Sequence, residues 1–578
     1  MSSSELDGGT AYPGAIQVTV DRQVEMRDGL CLSTDVYLPR PSGDPGTAKF
    51  SCVLIRTPYN NASAVNIRKA RSLADAGYAC VLQDVRGRWD SDGSWDPFVA
   101  EAEDGYDTQT WIGQQPWSNG RIGMSGRSYL GSVQWLSAPL RNPNVVCLAP
   151  QSICVDYLTG LVRPGGAFQL GVLCNWGLRV VGRSSQDIDF DNWTEICRVL
   201  PIADIAGRAG RHMDFWDRWM DLPGGDPYWA AIDTRPHWDQ ITVPALIFGG
   251  WYDLYASQAF DQFNGMRLHG GSEEARQSRL IMGPWPHHLG SDLSTAPRTG
   301  DIDFGTGSVV NVDAVERAWF DQWLKPDGTP ALDGPPLRLF VMGVNRWQDE
   351  HEWPLARTHW QRWHLHSRGA ANSVRGDGEL RLDEPAEQPH DTFVYDPEFP
   401  VQTVGGANCC SPNIEPWGPY DQRPVESRND VLVYTSPVLD EDLEVIGPIV
   451  LRLFAATDGP DTDWTAKLVD VAPSGYAMNL CDGIVRARYR LGQDESRMLT
   501  PGRVEGYDIE VGVTANVFRR GHRIRLEVSS SNFPRFDRNL NTGKDLARDS
   551  EIRVAQQQVF HDPSYPSHVL LPVIPAES

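Results

Sequence analysis

The hydropathy pattern changes period near residue 355, and that change divides the chain into two kinds of fold. Before it, short apolar runs alternate with stretches of helical spacing. Phe50-Ser-Cys-Val-Leu-Ile55 and Tyr78-Ala-Cys-Val-Leu-Gln83 read as buried strands, and Val65 to Ala76 and Asp104 to Gln114 as helices. Arg121-Ile-Gly-Met-Ser125 predicts a short strand running into a helix from Tyr129 to Ala138. Strands return at Val243-Pro-Ala-Leu-Ile-Phe248 and Ser278-Arg-Leu-Ile-Met282. Strand and helix in alternation imply a mostly parallel sheet covered on both faces. Residues 152–240, rich in Trp, Arg and Asp, interrupt that order. They read as a helical insertion over the sheet, with ordinary flanking helices as the alternative. Beyond 355 the helical spacing is gone. Runs such as Pro448-Ile-Val-Leu-Arg-Leu-Phe454, Thr465-Ala-Lys-Leu-Val-Asp-Val471 and Ile484-Val-Arg-Ala-Arg-Tyr489 recur between Gly, Pro, Asp and Asn, as in a β-sandwich or jelly roll.

Where the short strand meets its helix stands Gly126-Arg-Ser-Tyr-Leu-Gly131. A nucleophilic serine needs a turn so tight that residues two places away are small, with the next helix N-terminus aimed at the developing oxyanion. Gly126 meets the pattern; the second glycine falls one place late, with Leu130 in its usual position. A purely structural turn is the plainer reading. The chain order that goes with such an elbow is serine, acid, histidine. Asp253 closes Gly249-Gly-Trp-Tyr-Asp253 after one later strand, and His287 closes Gly283-Pro-Trp-Pro-His287 after the next. Serine is a weak nucleophile until a base takes its proton; histidine is that base near neutral pH, and a carboxylate fixes its tautomer. Plainer roles exist here too: Asp253 as a loop cap, and His287 as a surface residue with His288 as the base. Asp84 also ends a strand but precedes Ser128, so Asp84 and Arg86 read as supporting residues. The expectation is an α/β-hydrolase core (1–151 and 241–354), a helical cap (152–240) and a C-terminal jelly-roll β domain (355–578), with Ser128, Asp253 and His287 as the triad.

Six separated motifs carry a resemblance: Arg56-Thr-Pro-Tyr59, Gln83-Asp-Val-Arg-Gly87, Gly126-Arg-Ser-Tyr-Leu-Gly131, Gly250-Trp-Tyr-Asp253, Gly283-Pro-Trp-Pro-His287 and Val528-Ser-Ser-Ser-Asn-Phe-Pro534. Together they resemble the cocaine esterase family of CocE/NonD hydrolases, related to α-amino-acid ester hydrolases and X-Pro dipeptidyl peptidases. The resemblance implies a serine esterase with an oxyanion hole made by the Tyr129 backbone N–H and the Tyr59 hydroxyl. It also implies a homodimer. Two departures matter. The early-cap stretch Leu158 to Arg163 lacks the carboxylates that hold a substrate ammonium in amino-ester hydrolases; the nearest is Asp156. Gly405-Gly-Ala-Asn-Cys-Cys410 replaces large apolar side chains, which reshapes the pocket and argues against cocaine itself as substrate. Trp176, Trp251, Tyr255, Cys409 and Cys410 are the candidate pocket residues.

Composition narrows the partners. A net charge of −24 disfavours nucleic acid and anionic membrane surfaces. The ten cysteines form no CxxC pair, and several sit inside apolar runs, as small buried hydrophobes do in a reducing compartment. The start of the chain lacks a signal-peptide pattern, and no run of apolar residues is long enough to span a bilayer. The expected protein is cytoplasmic, acts on a small-molecule ester, and needs no metal or cofactor. An amidase or acyl-peptidase, an acyltransferase on the same triad, and a non-catalytic jelly-roll binding protein are the alternatives.

Overall fold

The computed structural model describes residues 16–40, 48–186, 193–287, 296–325, 328, 332–410 and 416–575. A ten-stranded sheet organises the first part of the chain. Its strands begin with β1 (Gln17–Glu25), β2 (Cys31–Leu38), β3 (Phe50–Thr57), β4 (Ala79–Asp84) and β5 (Ser118–Arg127). They continue with β6 (Val145–Gln151), β7 (Leu246–Tyr252) and β8 (Arg279–Pro286). A small ladder, β9 (Arg298–Thr299) with β10 (Ile302–Asp303), precedes the last two sheet strands, β11 (Leu337–Val341) and β12 (Arg346–Glu350). The order is β1-β2-β4-β3-β5-β6-β7-β8-β11-β12. From β4 to β11 neighbours are parallel, and both edges are antiparallel. β3 and β4 are buried along almost their whole length, so both faces need apolar side chains and the runs are nearly continuous.

One topological detail places the site. The chain leaves β3 toward β4 on one side, then returns to the other side of β3 for β5. Such a reversal opens a crevice beyond the carboxyl ends of the two strands, where ligands bind in open α/β sheets.

Helices cover the sheet: α1 (Ala64–Asp75), α2 (Glu101–Gln114), α3 (Tyr129–Ser137), then α4 (Leu170–Val180), α5 (Trp193–Cys197), α6 (Ile205–Arg208), α7 (Asp214–Asp221), α8 (Pro227–Ala231), and finally α9 (Ala256–His269) and α10 (Val312–Leu324). α1 and α10 share one face: Ala70, Leu73, Trp319 and Phe320 pack with Ile55, Cys80 and Phe248. α1 begins where the Ser63 hydroxyl accepts the Asn66 N–H at 3.3 Å, which satisfies one orphan donor of the first turn. The short helices α4 to α8 all fall in the interval read as an insertion.

The C-terminal part is mostly sheet, with eleven strands between His359 and Ile574 joined in one hydrogen-bonded network. Two details differ from expectation. β11 and β12 extend the hydrolase sheet, although their short runs carry little periodicity. The run Ile484 to Tyr489 stops being strand at Arg486 and turns into a 3₁₀ segment, Ala487–Tyr489. The reason is local pairing: Arg486 bridges Asp463 and Asp537 at 2.8 Å each in the interior, and Arg488 reaches Asp461 at 2.7 Å. Asp537 also accepts the Phe168 N–H at 2.8 Å, which ties the insertion to the β domain. Beside the acid loop, the Tyr252 hydroxyl donates to the Asn479 carbonyl at 3.1 Å. No helix of the described residues is long and apolar enough to cross a membrane.

Candidate active site

β5 runs parallel to β6 as far as Arg127 and then turns sharply. Ser128 adopts φ 58° and ψ −128°, a conformation that costs an L-residue and persists only when its surroundings impose it. They do so here. The Ser128 N–H donates to the Gln151 carbonyl at 2.9 Å, and α3 starts one residue later. A β-carbon on Gly126 would lie 2.3 Å from that of Leu130, so glycine at 126 is what allows a large residue at 130. A β-carbon on Gly131 would meet the Ile153 side chain at 2.9 Å. The glycine that falls one place late therefore serves the approach of α3 to the chain after β6.

Tyr129 opens α3, so its N–H has no carbonyl partner one turn back in the helix and shares the positive end of the helix dipole. Its side chain has a different task. The phenol donates to Glu101 Oε1 at 2.8 Å and accepts the Phe98 N–H at 2.9 Å and the Trp95 indole N–H at 3.2 Å. Arg56 pairs with the same carboxyl group at 3.0 Å. Burial, then the Glu101 charge, push the Tyr129 phenol well above its ordinary pKa.

Tyr59 lies two residues past the end of β3, across the crevice from Ser128. Its oxygen accepts the Trp176 indole N–H at 2.9 Å, so its own proton points elsewhere. The Ser128 hydroxyl is within hydrogen-bonding reach of it. Burial raises the Tyr59 pKa against the opposing pull of Trp176 and Ser128, and the phenol stays protonated at neutral pH. The loop is fixed from below: Thr57 Oγ1 accepts the Tyr59 N–H at 3.0 Å, and Asp84 Oδ1 accepts the Asn61 N–H at 2.7 Å. Burial pushes the Asp84 carboxyl up to about 7. Arg86 holds Asp104 at 2.6 Å and Asp28 at 2.5 Å, away from Ser128.

Asp253 follows β7 and His287 follows β8. His287 Nδ1 lies 3.1 Å from Asp253 Oδ1, and both side chains are buried. A proton on Nδ1 satisfies that contact and leaves the imidazole lone pair on Nε2, the arrangement a general base needs. Burial pushes the Asp253 carboxyl up, but the His287 charge and hydrogen bond pull it further down, helped by the Tyr255 N–H at 3.1 Å. The net result lies below the usual carboxylate range. His288 falls outside the described residues.

The candidate pocket residues divide. Trp176 meets Tyr59, and Tyr255 stands edge-on to the His287 ring with centroids 5.6 Å apart. Cys409 and Cys410 bring their sulfurs within 4.8 Å of a His287 ring nitrogen and are joined to each other as a disulfide, while the other eight cysteines are free thiols. Trp251 does not meet expectation. Its indole donates to the Phe340 carbonyl at 2.7 Å and packs on Phe260 and Trp353, so it is sheet core. Past the end of β7 Asp253 turns to His287, whereas Tyr252 reaches the β domain and Trp251 faces the packed interior.

Beyond Trp176, sequence reasoning passed over an aromatic wall. Trp95 and Phe98 contact Tyr129, and Trp176, Phe215 and Trp219 of the insertion contact one or both of them. The spacing of Phe215 and Trp219 puts them on one helix face, a legible signal; Trp95 and Phe98 lie in a loop with no periodicity.

Comparison with known proteins bears on family and fold. Residues 28–289 match the X-Pro dipeptidyl-peptidase (S15 family) domain, and residues 331–570 match the X-Pro dipeptidyl-peptidase C-terminal non-catalytic domain. A cocaine esterase of Rhodococcus sp. (strain MB1 Bresler) is 36% identical over 590 residues, 97% of this chain and 99% of its own. An aminopeptidase of a marine sediment Thaumarchaeota archaeon superposes with a TM-score of 0.83 at 26% identity, over 100% of this chain and 99% of its own. An α-amino acid ester hydrolase does so with a TM-score of 0.83 at 25% identity, over 99% and 100%.

Proposed function

The chain belongs to the cocaine esterase-like family of CocE/NonD serine ester hydrolases, and from that premise we propose that it cleaves neutral carboxylic esters through an acyl-enzyme on Ser128. The carrying observation is the buried 3.1 Å His287–Asp253 pair at the ends of β8 and β7, in the sheet whose β5 ends in the strained turn at Ser128. His287 takes the Ser128 proton as the hydroxyl attacks the ester carbonyl. The Tyr129 N–H and the Tyr59 O–H receive the oxyanion. The imidazolium protonates the departing alkoxide, and His287 then activates water to release the acid. We assign this machinery to residues 1–151 and 241–354, its cover to 152–240, and a jelly roll to 355–578.

Two features support a neutral acyl group over an α-amino one. Leu158 to Arg163 carries no carboxylate, and Asp156 is buried and already spent on Arg235 at 2.8 Å and on the Leu158 N–H at 3.0 Å. The aromatic wall of Trp95, Trp176 and Phe215 suits apolar or aromatic ester groups, as the name of the cocaine esterase relative suggests for that protein. A cytoplasmic homodimer completes the reading: seven free thiols are buried, as a reducing compartment favours, and the family resemblance implies the dimer.

Ser128→Ala tests it. Turnover of a phenyl ester falls by about 10⁶, and labelling by a fluorophosphonate disappears. Near wild-type turnover in that variant sinks the assignment. Comparing the matching anilide measures how far the same triad cleaves amides.

A further inference from the structure

The loop that ends in Cys409 and Cys410 is held unusually firmly for a pocket rim. Gly406 and Gly418 exchange backbone hydrogen bonds at 2.7 and 2.9 Å. The Asn408 amide donates to the Gly405 carbonyl at 2.9 Å and to the Pro416 carbonyl at 3.1 Å, with its residue buried. These bonds fix the vicinal cysteines over the imidazole of His287, with all three potential ligand atoms within 4.8 Å of one another. Nothing in ester hydrolysis calls for two sulfurs there.

We propose that the reduced pair Cys409 and Cys410, with His287, forms a site for a thiophilic divalent cation such as Zn²⁺, and that filling it silences the esterase. Ligand atoms of a tetrahedral zinc site stand roughly 3.5–3.8 Å apart, given Zn–S of about 2.3 Å and Zn–N of about 2.0 Å. On reduction the two sulfurs part from bonding contact toward that value, and side-chain rotation brings the His287 nitrogen, within 4.8 Å, to it. Two cysteines and one histidine are also a known donor set for zinc with one open position.

The disulfide is the state in which the site is shut. A dithiol reductant opens it: the Cys409–Cys410 S–S bond breaks, two thiols form, and the reductant loses two electrons and two protons as it closes its own disulfide. The cation then displaces two thiol protons and binds two thiolates and the neutral imidazole. With Nδ1–H directed at Asp253, the only imidazole lone pair is the one the base uses. Metal and proton therefore compete for the same electrons, and the oxidised pair protects turnover from the metal. This coupling rests on the proposed role of His287; the binding itself does not.

The test uses the full-length enzyme, reduced with dithiothreitol, desalted without air and titrated with Co²⁺ alone. The expected result is a thiolate-to-cobalt charge-transfer band with tetrahedral visible bands, saturating at one Co²⁺ per chain. The oxidised enzyme gives none. Cys409→Ser and Cys410→Ser each remove the charge-transfer intensity of one thiolate, and His287→Ala weakens binding by roughly a hundredfold. Zn²⁺ lowers the ester hydrolysis rate of the reduced enzyme at least tenfold and that of the oxidised enzyme not at all, with each cysteine variant referred to its own metal-free rate. Absence of the band after reduction, or a band untouched by both serine substitutions, overturns the site. A band with undiminished turnover overturns the coupling. Loss of the triad assignment shows separately, as a Ser128→Ala enzyme that still turns over.

Discussion

His287–Asp253 and His561–Asp391 are both buried imidazole–carboxylate pairs, at 3.1 and 2.8 Å. Each carboxyl sits below its usual range for the same reason: burial pushes it up, and the histidine partner and other donors outweigh that. The second pair even has a serine nearby. Yet in the β domain all donors converge on the acid. Asp391 accepts from Tyr434 at 2.8 Å, from the Ala371 N–H at 2.9 Å, and has the Ser367 oxygen at 2.7 Å. That network saturates a buried charge and fastens strands together. In the first pair the acid and the histidine follow neighbouring strands β7 and β8, in the sheet whose β5 ends at the strained turn of Ser128. Residue types and a depressed carboxyl pKa do not separate the two pairs; placement at the carboxyl end of a parallel sheet does.

The contrast breaks most sharply on histidine substitution. His287→Asn lowers kcat for a phenyl ester by about 10⁶. His561→Asn leaves kcat per folded molecule unchanged and costs about 2–4 kcal/mol of stability, read from the denaturant midpoint. A His561 variant that kept its midpoint but lost turnover would erase the distinction. Next in size is the oxyanion donor. Tyr59→Phe removes one hydroxyl aimed at the developing charge and lowers kcat by about 10²–10³ with little change in KM. A fall in KM-limited binding alone would reduce Tyr59 to a packing residue that happens to touch Trp176.

Legibility in the sequence followed the same divide. The parallel sheet was readable because buried strands such as β3 and β4 need unbroken apolar runs, and the elbow because a reacting serine demands small neighbours. Asp253 and His287, the proposed acid and base, could be named because chain order and strand ends constrain such a pair, and the two side chains do meet at 3.1 Å. Trp251 was misplaced because adjacency to Asp253 says nothing about which side of the strand an indole takes. The vicinal disulfide stayed hidden because Cys409 and Cys410 pair with each other rather than across the chain, and spacing alone does not distinguish a pair from two free thiols. The Glu101–Tyr129–Arg56 cluster was invisible for a further reason: it assembles residues from α2, α3 and β3 whose contacts exist only once the helices have docked.

The smallest effect concerns Asp84, a carboxyl buried beneath the Tyr59 loop and shifted upward rather than downward. It holds the Asn61 N–H, has no histidine or arginine bonded to it among the described residues, and is pushed up to about 7 because burial dominates. A raised carboxyl pKa means that the folded state binds the proton more tightly than the unfolded chain does. Stability from this group is therefore complete at low pH and is lost as pH rises from about 4 toward 7, with an upper bound of about 4 kcal/mol for the whole shift. Asp253 and Asp391 carry the opposite sign, and they lose stability as pH falls below about 4. Asp84→Asn keeps an acceptor for Asn61 but cannot ionise. Its amide also brings a donor that needs a partner, a constant offset of about 1–3 kcal/mol that does not vary with pH. The informative quantity is thus the slope. Between pH 5 and 8 the wild-type denaturation midpoint should fall relative to the Asn variant, and the two curves should run parallel below pH 4. Parallel curves across the whole range would mean that Asp84 is ionised throughout, and that water reaches it beneath the oxyanion loop.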